Sequence, residues 1–512
     1  MKRQGSITVF SAISLMLAAQ LLFTYLEAAR HREFEKVFQM NTDTVLESVF
    51  ADYCSPLWET YRLLGVTAAD PDGNFSLRNK EAQLRSLTGD NLGSKGSIAS
   101  FSGVSLLSAE MTDVSFTDYL LMTDYGGKVY EQAVSAYMKE NLVYETAKTV
   151  YNNYEAVKEL KETYSNSDES IGTAQDAITS AKEEAKQTKK SLKKGSGRSI
   201  AETTDTATEA VEEVENPLTT VTEAKKSGIL SLVLSDQAEL SRNALSLENT
   251  VSHRKLNAGT KALPADGDWY QKVLMNQYMV NYLSCYTTEG QERALGYELE
   301  YLIGGKASDA DNLRLVAIEL LGIREVLNMG SIMAMPEKQA DALALATTLV
   351  GFTLNPVLIE VVKYGILAAW AFVESVLDVR ALLEGGRIAL IKTAADWTSN
   401  VHDLPALLSG WSVAKSSSYG SSYSQYLGLL LFFHSEDQLA MRAMDVQEAT
   451  IQSNAGYENF KMDHVICEAD VNATYEYVPV FLGFVSLLEE KWDCFRMQET
   501  GAYSYLRGKE GV

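Results

Sequence analysis

The residues that could do chemistry in this 512-residue chain are scattered and form no recognised catalytic motif. The string HSED at residues 434–437 brings His, Ser and two acids together, but sequence neighbours rarely adopt the geometry of a catalytic triad. GGKASD at residues 304–309 lacks the upstream glycine spacing with which a Walker-type loop cradles phosphate. We therefore predict no catalytic residue, no cofactor and no enzymatic activity, although the many Asp and Glu residues leave a carboxylate pair open.

One loop superficially resembles a calcium site. Acidic and polar residues alternate through DPDGNFS and beyond, at Asp70, Asp72, Asn74, Ser76 and Glu81. Phe75 stands where such a loop needs glycine, and Arg78 replaces an acid that would bind water. The sequence favours a turn over a metal site here.

The cysteines and histidines also predict no metal site. The four cysteines form no C-x-x-C pair, and the five histidines are far apart, which argues against structural zinc. Pairing of Cys467 with Cys494 stays open, but isolated buried thiols are favoured.

The overall composition excludes one class of partner. The net charge is −23 and the pI is about 4.8, which argues against nucleic-acid binding because phosphates require a basic surface. Apolar residues make up 46% and charged residues 22%, as in an ordinary globular protein of two or three domains.

The elements that must position these residues begin with an apolar helix. The run from Ile7 to Leu26 carries no charge, and about 20 helical residues span about 30 Å, the thickness of a bilayer core. It is longer than a secretory signal core, and its only small-residue pair, Ala18-Ala19, lies inside it. We predict a retained transmembrane anchor in residues 1–30. Basic residues lie on both sides, so charge does not decide which side faces the cytoplasm.

Helical spacing continues beyond the anchor, as far as Ser55-Pro56. This predicts a stalk helix in residues 31–63. A mixed region with short strands follows at 64–127.

An apolar residue then recurs every seventh position from Val129 for ten positions. The pattern predicts an antiparallel coiled-coil hairpin in residues 128–256, with its tip at 193–199 and Pro217 in the return leg. Its seam includes Val143, Val150, Val157, Ile171, Ile178 and Leu192. Two interpretations remain open: an arm that reaches a partner or spaces a module from the membrane, and a surface helix pair with no partner of its own. Self-association through the coiled coil also stays open.

The remaining chain predicts a helical bundle at 257–448 and C-terminal strands at 449–512. The most apolar segment, 340–386, favours two buried helices over a second membrane hairpin, and Glu374, Asp378 and Arg380 are interpreted as a structural polar cluster. The predicted class is α+β, predominantly α, with a transmembrane helix, the coiled-coil hairpin, the bundle and a small antiparallel sheet formed by strands before and after the helical block.

The N-terminus carries a resemblance. GSITVF, the apolar run and LEAAR resemble the start of TadE/TadG-like, pseudopilin-like proteins of Tad/Flp pilus loci. Most of the chain also resembles an uncharacterised family of membrane-anchored bacterial proteins associated with such loci. That resemblance is carried by YELEYLIGGKASDADNL, LLGIREVLN, VESVLDVRALLEGGRIALIKTAADW and RAMDVQEATI.

The resemblance implies a processing site and a setting. Gly5 would precede a prepilin-peptidase cut and Ser6 would become the N-terminus, whereas Phe10 stands where pilins carry a glutamate. The resemblance also implies a single-pass membrane protein with most of its chain outside the cytoplasm. Its role would be an assembly or minor-pilin-like one, and its partners would be the membrane and proteins of a pilus or secretion machinery. An anchored cell-surface hydrolase and a scaffold unrelated to pili, possible also on the cytoplasmic side, are the alternatives.

Overall fold

A computed structural model describes most of the chain. The described residues are 2–93, 100–101, 104–142, 144–194, 216–234, 240–263, 268–288, 293–482 and 494–506. They are mostly helical, with a small antiparallel sheet and an apolar N-terminal helix, so the predicted α+β class is confirmed.

The helices and strands are numbered in chain order. The helices are α1 (Lys2–Ala51), α2 (Ser55–Tyr61), α3 (Arg78–Leu92), α4 (Asp124–Asn141), α5 (Tyr144–Tyr164), α6 (Ser167–Lys194), α7 (Pro217–Ser227), α8 (Ile229–Val233), α9 (Trp269–Tyr282), α10 (Glu298–Gly304), α11 (Asp309–Met333), α12 (Pro336–Val350), α13 (Pro356–Leu383), α14 (Leu404–Ser409), α15 (Tyr423–Leu431) and α16 (Glu436–Gln452). The strands are β1 (Val66–Thr67), β2 (Ser100–Phe101), β3 (Val104–Ser105), β4 (Glu110–Leu121), β5 (Val465–Tyr477) and β6 (Phe495–Ser504).

The chain forms two compact units, each built from separate stretches of sequence. The first comprises Met1–Asn141, Val251–Gly267 and Gln447–Val512, and we call it the sheet unit. The second comprises Leu142–Thr250 and Asp268–Val446, and we call it the helical unit.

The sheet unit is organised around the long strand β5. β4 pairs with one edge of β5, and β1 and β6 pair with the other edge, all antiparallel. Strands from before and after the helical block therefore share one sheet, as the sequence predicts. β5 alternates strictly from Ala469 to Tyr477, with every second residue buried, because successive side chains of a strand point to opposite faces.

The second half of α1 covers the buried face of this sheet. Six apolar side chains at helical spacing enter a common core with β4 and β5. They are Phe34, Phe38, Val45, Leu46, Val49 and Phe50. The helix that the sequence predicts as a stalk in residues 31–63 therefore packs on the sheet over residues 31–51, where its amphipathic pattern finds an apolar partner within the unit.

The helical unit is built around α13. Asn355 caps its first turn by accepting hydrogen bonds from the backbone N–H groups of Val357 and Leu358, and Pro356 occupies a position where no N–H is needed. Every residue from Gly365 to Leu383 is buried. α13 has the length and composition of a membrane span, and its burial confirms the predicted core helix.

In the described residues, the heptad region packs within a bundle and does not form the protruding arm, one of the two interpretations left open by the sequence. The helical path breaks between α4 and α5 and again at Ser165-Asn166, between α5 and α6. α5 and α6 pack on the other helices of the helical unit, with α6 lying along α13 and α5 along α11. A seven-residue repeat specifies one apolar stripe, and a bundle neighbour buries that stripe as well as a coiled-coil partner does.

Only part of the predicted return leg can be compared. Residues 195–215, which include most of the tip, lie outside the described residues. From Asn216 onward the chain returns as α7, and Gln175 on α6 hydrogen-bonds to both Asn216 and Thr219.

Candidate functional site

The first half of α1 exposes an apolar surface to its surroundings. Ile7, Phe10, Leu15 and Leu21 are each exposed by 66% or more, and no residue of the most apolar stretch of this helix is buried. Large apolar side chains rarely stay exposed in such a continuous series in water. The segment has the length and composition of a membrane span.

This exposed surface stops abruptly at the predicted end of the anchor. Leu26 is half-buried, whereas Glu27 is 3% exposed and Arg30 is 7% exposed. The two charges form an ion pair, with Arg30 Nη1 donating to Glu27 Oε1 at 2.7 Å.

Both charged groups also bind backbone of the sheet unit. Glu27 Oε2 accepts hydrogen bonds from the N–H groups of Val480 (3.0 Å) and Phe481 (2.7 Å). Arg30 donates to the carbonyl oxygens of Leu106 (2.6 Å) and Val478 (3.0 Å). We call these residues, Glu27, Arg30, Leu106 and 478–481, the collar. Since each buried charge has several partners, the collar holds two loops against one turn of α1.

Aromatic side chains continue the attachment beyond the collar. Phe34 lies 4.0 Å, centroid to centroid, from the ring of Tyr477, and Phe38 stacks on Tyr475 at 4.3 Å. The Arg30 guanidinium lies 4.7 Å above the ring of Phe34. Burial raises the pKa of Tyr477 to about 12, partly offset by the nearby Arg30, so its phenol is neutral at physiological pH.

The candidate processing residues lie at the start of α1. Gly5 and Ser6 are within the helix, and Phe10 follows as an exposed side chain that is 72% accessible. Both ends of the predicted anchor, Ile7 and Leu26, belong to this one uninterrupted helix.

The seam residues have different environments. Val157, Ile171 and Ile178 are buried in the helical unit and Val150 is half-buried. Val143 lies outside the described residues, as does the side chain of Leu192.

The predicted polar cluster exists, with one change of membership. Asp378 and Glu374 bind Lys392, and Asp378 also accepts from Arg324 Nη2 at 2.8 Å. Burial alone would raise the pKa of Asp378, but Arg324 and Lys392 together lower it. Arg380 instead donates to backbone carbonyl oxygens, among them that of Leu232 at 2.6 Å. Each charge has its partners inside the core, as expected for a structural role.

A second buried carboxylate is less completely paired. Glu300 Oε1 accepts from Tyr286 N (2.8 Å) and from the hydroxyl of Tyr423 (2.9 Å), while Oε2 finds no partner among the described residues. Burial raises the pKa of Glu300 to about 7. The neighbouring Cys285 thiol also has a raised pKa because of its burial, which keeps it neutral.

The exposed face of the sheet carries a polar cleft of about 710 Å³. Its two carboxylates are each paired with an arginine: Glu476 with Arg496 at 2.6 Å, and Asp113 with Arg85 at 3.4 Å. The arrangement therefore presents two ion pairs rather than an unpaired acid and base.

The other candidate clusters do not assemble into sites. At HSED, His434 pairs with Glu319 and Glu436 pairs with Lys272. Asp70 caps its own turn, accepting from the backbone N–H groups of Asp72 and Asn74, so the predicted turn is confirmed. In the described part of the chain, no three His, Cys, Asp or Glu side chains converge as a metal site would require.

The cysteines are unpaired. Cys54, Cys285 and Cys467 are buried, as the sequence favours, whereas Cys494 is exposed. Cys467 and Cys494 cannot pair in this fold, because the β5–β6 register places Phe495 opposite Tyr477, ten residues along β5 from Cys467.

The collar was not among the predicted site residues. Its signal in the sequence is LEAAR, where two opposite charges three residues apart follow directly after an uncharged run. Such a pair lies on one helix face and can bind there.

Comparison with known proteins places the chain in a family without assigning an activity. No curated protein and no solved structure matches it. The pattern of the Family of unknown function (DUF5702) matches residues 207–477, which extend from the return leg through the helical unit to the end of β5. Because this match covers more than half of the chain, the protein belongs to the DUF5702 family.

Proposed function

We propose that this protein is a membrane-anchored, extracytoplasmic component of a Tad/Flp-type pilus or secretion apparatus, with a non-enzymatic assembly or minor-pilin-like role. The observation that supports anchoring is the division of α1 into two halves. The first half exposes apolar side chains, and the second half is the helix that covers the sheet. A single rigid element thus joins the lipid-compatible surface directly to a folded unit.

The same division supports a pseudopilin-like role. A helix that is apolar on all sides near its N-terminus can lie in lipid or pack among similar helices of other subunits. Phe10 separates this chain from filament-forming pilins. Without a carboxylate at that position, a neighbouring N-terminal amine would have no partner in a low-dielectric helical core. An accessory role in assembly or anchoring therefore fits better than a role as the main filament subunit.

The mature N-terminus provides the test of processing. In cells that express a Tad-type machinery with its prepilin peptidase, we expect mass spectrometry of the purified protein to find Ser6 as the first residue. A Gly5→Leu variant should retain Met1, and Gln4→Ala, one residue away, should still be cut. An intact Met1 in the unmodified protein would reject prepilin-type processing.

Sidedness and partnership need separate measurements. Protease added to intact spheroplasts should digest the sheet and helical units, and full protection would reject the extracytoplasmic placement. Crosslinking in the same cells should capture secretion-platform proteins.

The alternative function, a cell-surface hydrolase, has its own test. It would be supported if Glu476→Gln or Asp113→Asn abolished a hydrolytic activity of the purified protein.

A further inference from the structure

Three exposed apolar side chains belong to the collar. Val478 is 65% exposed, Val480 is 46% exposed and Leu106 is 42% exposed. Single exposed apolar residues are common on protein surfaces. These three differ because the backbone that carries them is hydrogen-bonded to Glu27 and Arg30 of α1.

The collar fixes the position of these side chains along the axis of α1, just beyond the end of the apolar segment. Glu27 is the first residue after the run from Ile7 to Leu26, which spans about 30 Å as a helix. The hydrocarbon core of a bilayer is also about 30 Å thick, and the headgroup region adds about 5–7 Å on each side. If the run fills the hydrocarbon core, the backbone bound to Glu27 and Arg30 must lie at the level of the headgroups.

Neighbouring residues have the composition of an interfacial segment. Tyr25, in the last turn of the apolar run, is 73% exposed, and tyrosine is enriched where a helix leaves the hydrocarbon region. Phe481 and Leu482 are half-buried beside the two valines, and the described residues from Val478 to Leu482 carry no charge. Within this described stretch, no charged side chain would therefore be desolvated by contact of Val478 and Val480 with lipid.

We propose that Leu106, Val478 and Val480 form a lipid-contact surface that enters the headgroup–acyl boundary of the leaflet from which α1 emerges. The partner is the bilayer itself, and the sheet unit then sits directly on the membrane instead of standing away from it. This inference rests on the proposed anchoring by α1, and it adds a second attachment that fixes the tilt of the sheet unit.

Depth-dependent fluorescence quenching of the full chain tests this surface. The protein, with Cys494→Ser to remove the exposed thiol, is reconstituted into vesicles of phosphatidylcholine and phosphatidylglycerol. Single cysteines labelled with an environment-sensitive dye are introduced as Val478→Cys, Val480→Cys and Leu106→Cys. Val9→Cys reports on the anchor, and Ser48→Cys, an exposed position 21 residues beyond Glu27 on α1, is the water-exposed control.

The expected pattern separates this inference from the anchoring on which it depends. Dyes at positions 478, 480 and 106 should lose fluorescence with nitroxides placed near the headgroups, the dye at position 9 should lose it with nitroxides deep in the chains, and the dye at 48 should lose none. Quenching at 9 without quenching at 478, 480 and 106 would overturn the lipid-contact surface and leave the anchor intact. Absence of quenching at 9 would overturn both.

Discussion

At the scale of single residues, Glu27 and Arg30 mark the point on α1 where exposed side chains give way to buried ones. A charge at this position of a plain anchor would be solvated by water or headgroups. In this protein, the Glu27 carboxylate accepts hydrogen bonds from two backbone N–H groups, and the Arg30 guanidinium donates hydrogen bonds to two backbone carbonyl oxygens. These contacts compensate for burial of the pair and specify which loops surround the helix.

The buried carboxyl group of Glu300 should make the free energy of unfolding depend on pH. Its pKa is raised from 4.5 to about 7 by burial, so the native carboxyl group binds a proton more tightly than the unfolded chain does. Its contribution to the free energy of unfolding is therefore complete below about pH 4.5 and decreases by about 3 kcal/mol as the pH rises to about 7. Glu300→Gln should remove this decrease and be more stable than the unmodified protein above pH 7.

Denaturant unfolding of the full chain in detergent, across that pH range, measures the effect. Glu337→Gln, at an exposed position in the first turn of α12, is the matched control and should keep the pH-dependence. If Glu300→Gln retains the full decrease between pH 4.5 and 7, then burial does not shift this carboxyl group as the structure indicates.

At the scale of elements, the contact between α6 and α13 distinguishes a bundle helix from a free arm. Gly365 lies on α13 where a Cβ atom would meet the Cβ of Ala174 on α6 at 2.2 Å. On α5, the helix that precedes α6, Leu160 lies against Gly330 of α11. Small residues thus permit close approach at both helices that the sequence assigns to the arm.

Gly365→Ala tests this packing. Because the added methyl group would force α6 and α13 apart, we expect a loss of about 1–3 kcal/mol in the free energy of unfolding. Gly172→Ala, on the exposed side of α6 with no atom within 4 Å of its Cβ, should instead stabilise the protein by about 0.5–1 kcal/mol. Equal stabilisation by both substitutions, measured by chemical denaturation, would show that α6 does not pack on α13.

At the scale of the whole molecule, two compact units are interleaved in sequence and only one of them contains α1. The helical unit lies between stretches of the sheet unit, so the chain must complete β5 and β6 after the helical block before the sheet forms. The family match extends through β5, the strand on which the sheet is organised. The sheet unit therefore depends on strand contacts between residues several hundred positions apart, which are slow to form.

Charges in the first half of α1 should separate membrane attachment from folding. Leu15 and Leu17 are 73% and 56% exposed, so lysines there disturb no packing within the protein. Each lysine near the centre of a span costs about 2.5–3.5 kcal/mol on insertion. Leu15→Lys combined with Leu17→Lys should therefore move the protein out of the carbonate-washed membrane fraction while its thermal unfolding stays unchanged.

Two lysines in the second half of α1 provide the control. Gln39→Lys with Met40→Lys adds the same charge at exposed positions and should leave the protein in the membrane fraction. Retention of the Leu15→Lys, Leu17→Lys variant in the membrane after washing would contradict anchoring by α1.

The sequence alone determined those features that depend on local patterns. The uncharged run ends at Leu26, within one residue of the point where α1 becomes buried, because length and lack of charge are properties of consecutive residues. The burial of α13 was predicted for the same reason. Only the tertiary structure decided which surfaces meet: it paired α6 with α13, laid residues 31–51 on the sheet, and placed the loops of Leu106 and Val478 around Arg30. An apolar stripe specifies that it must be buried but not by what, since hydrophobic burial is non-directional and the choice of partner depends on shape and hydrogen bonds between distant segments.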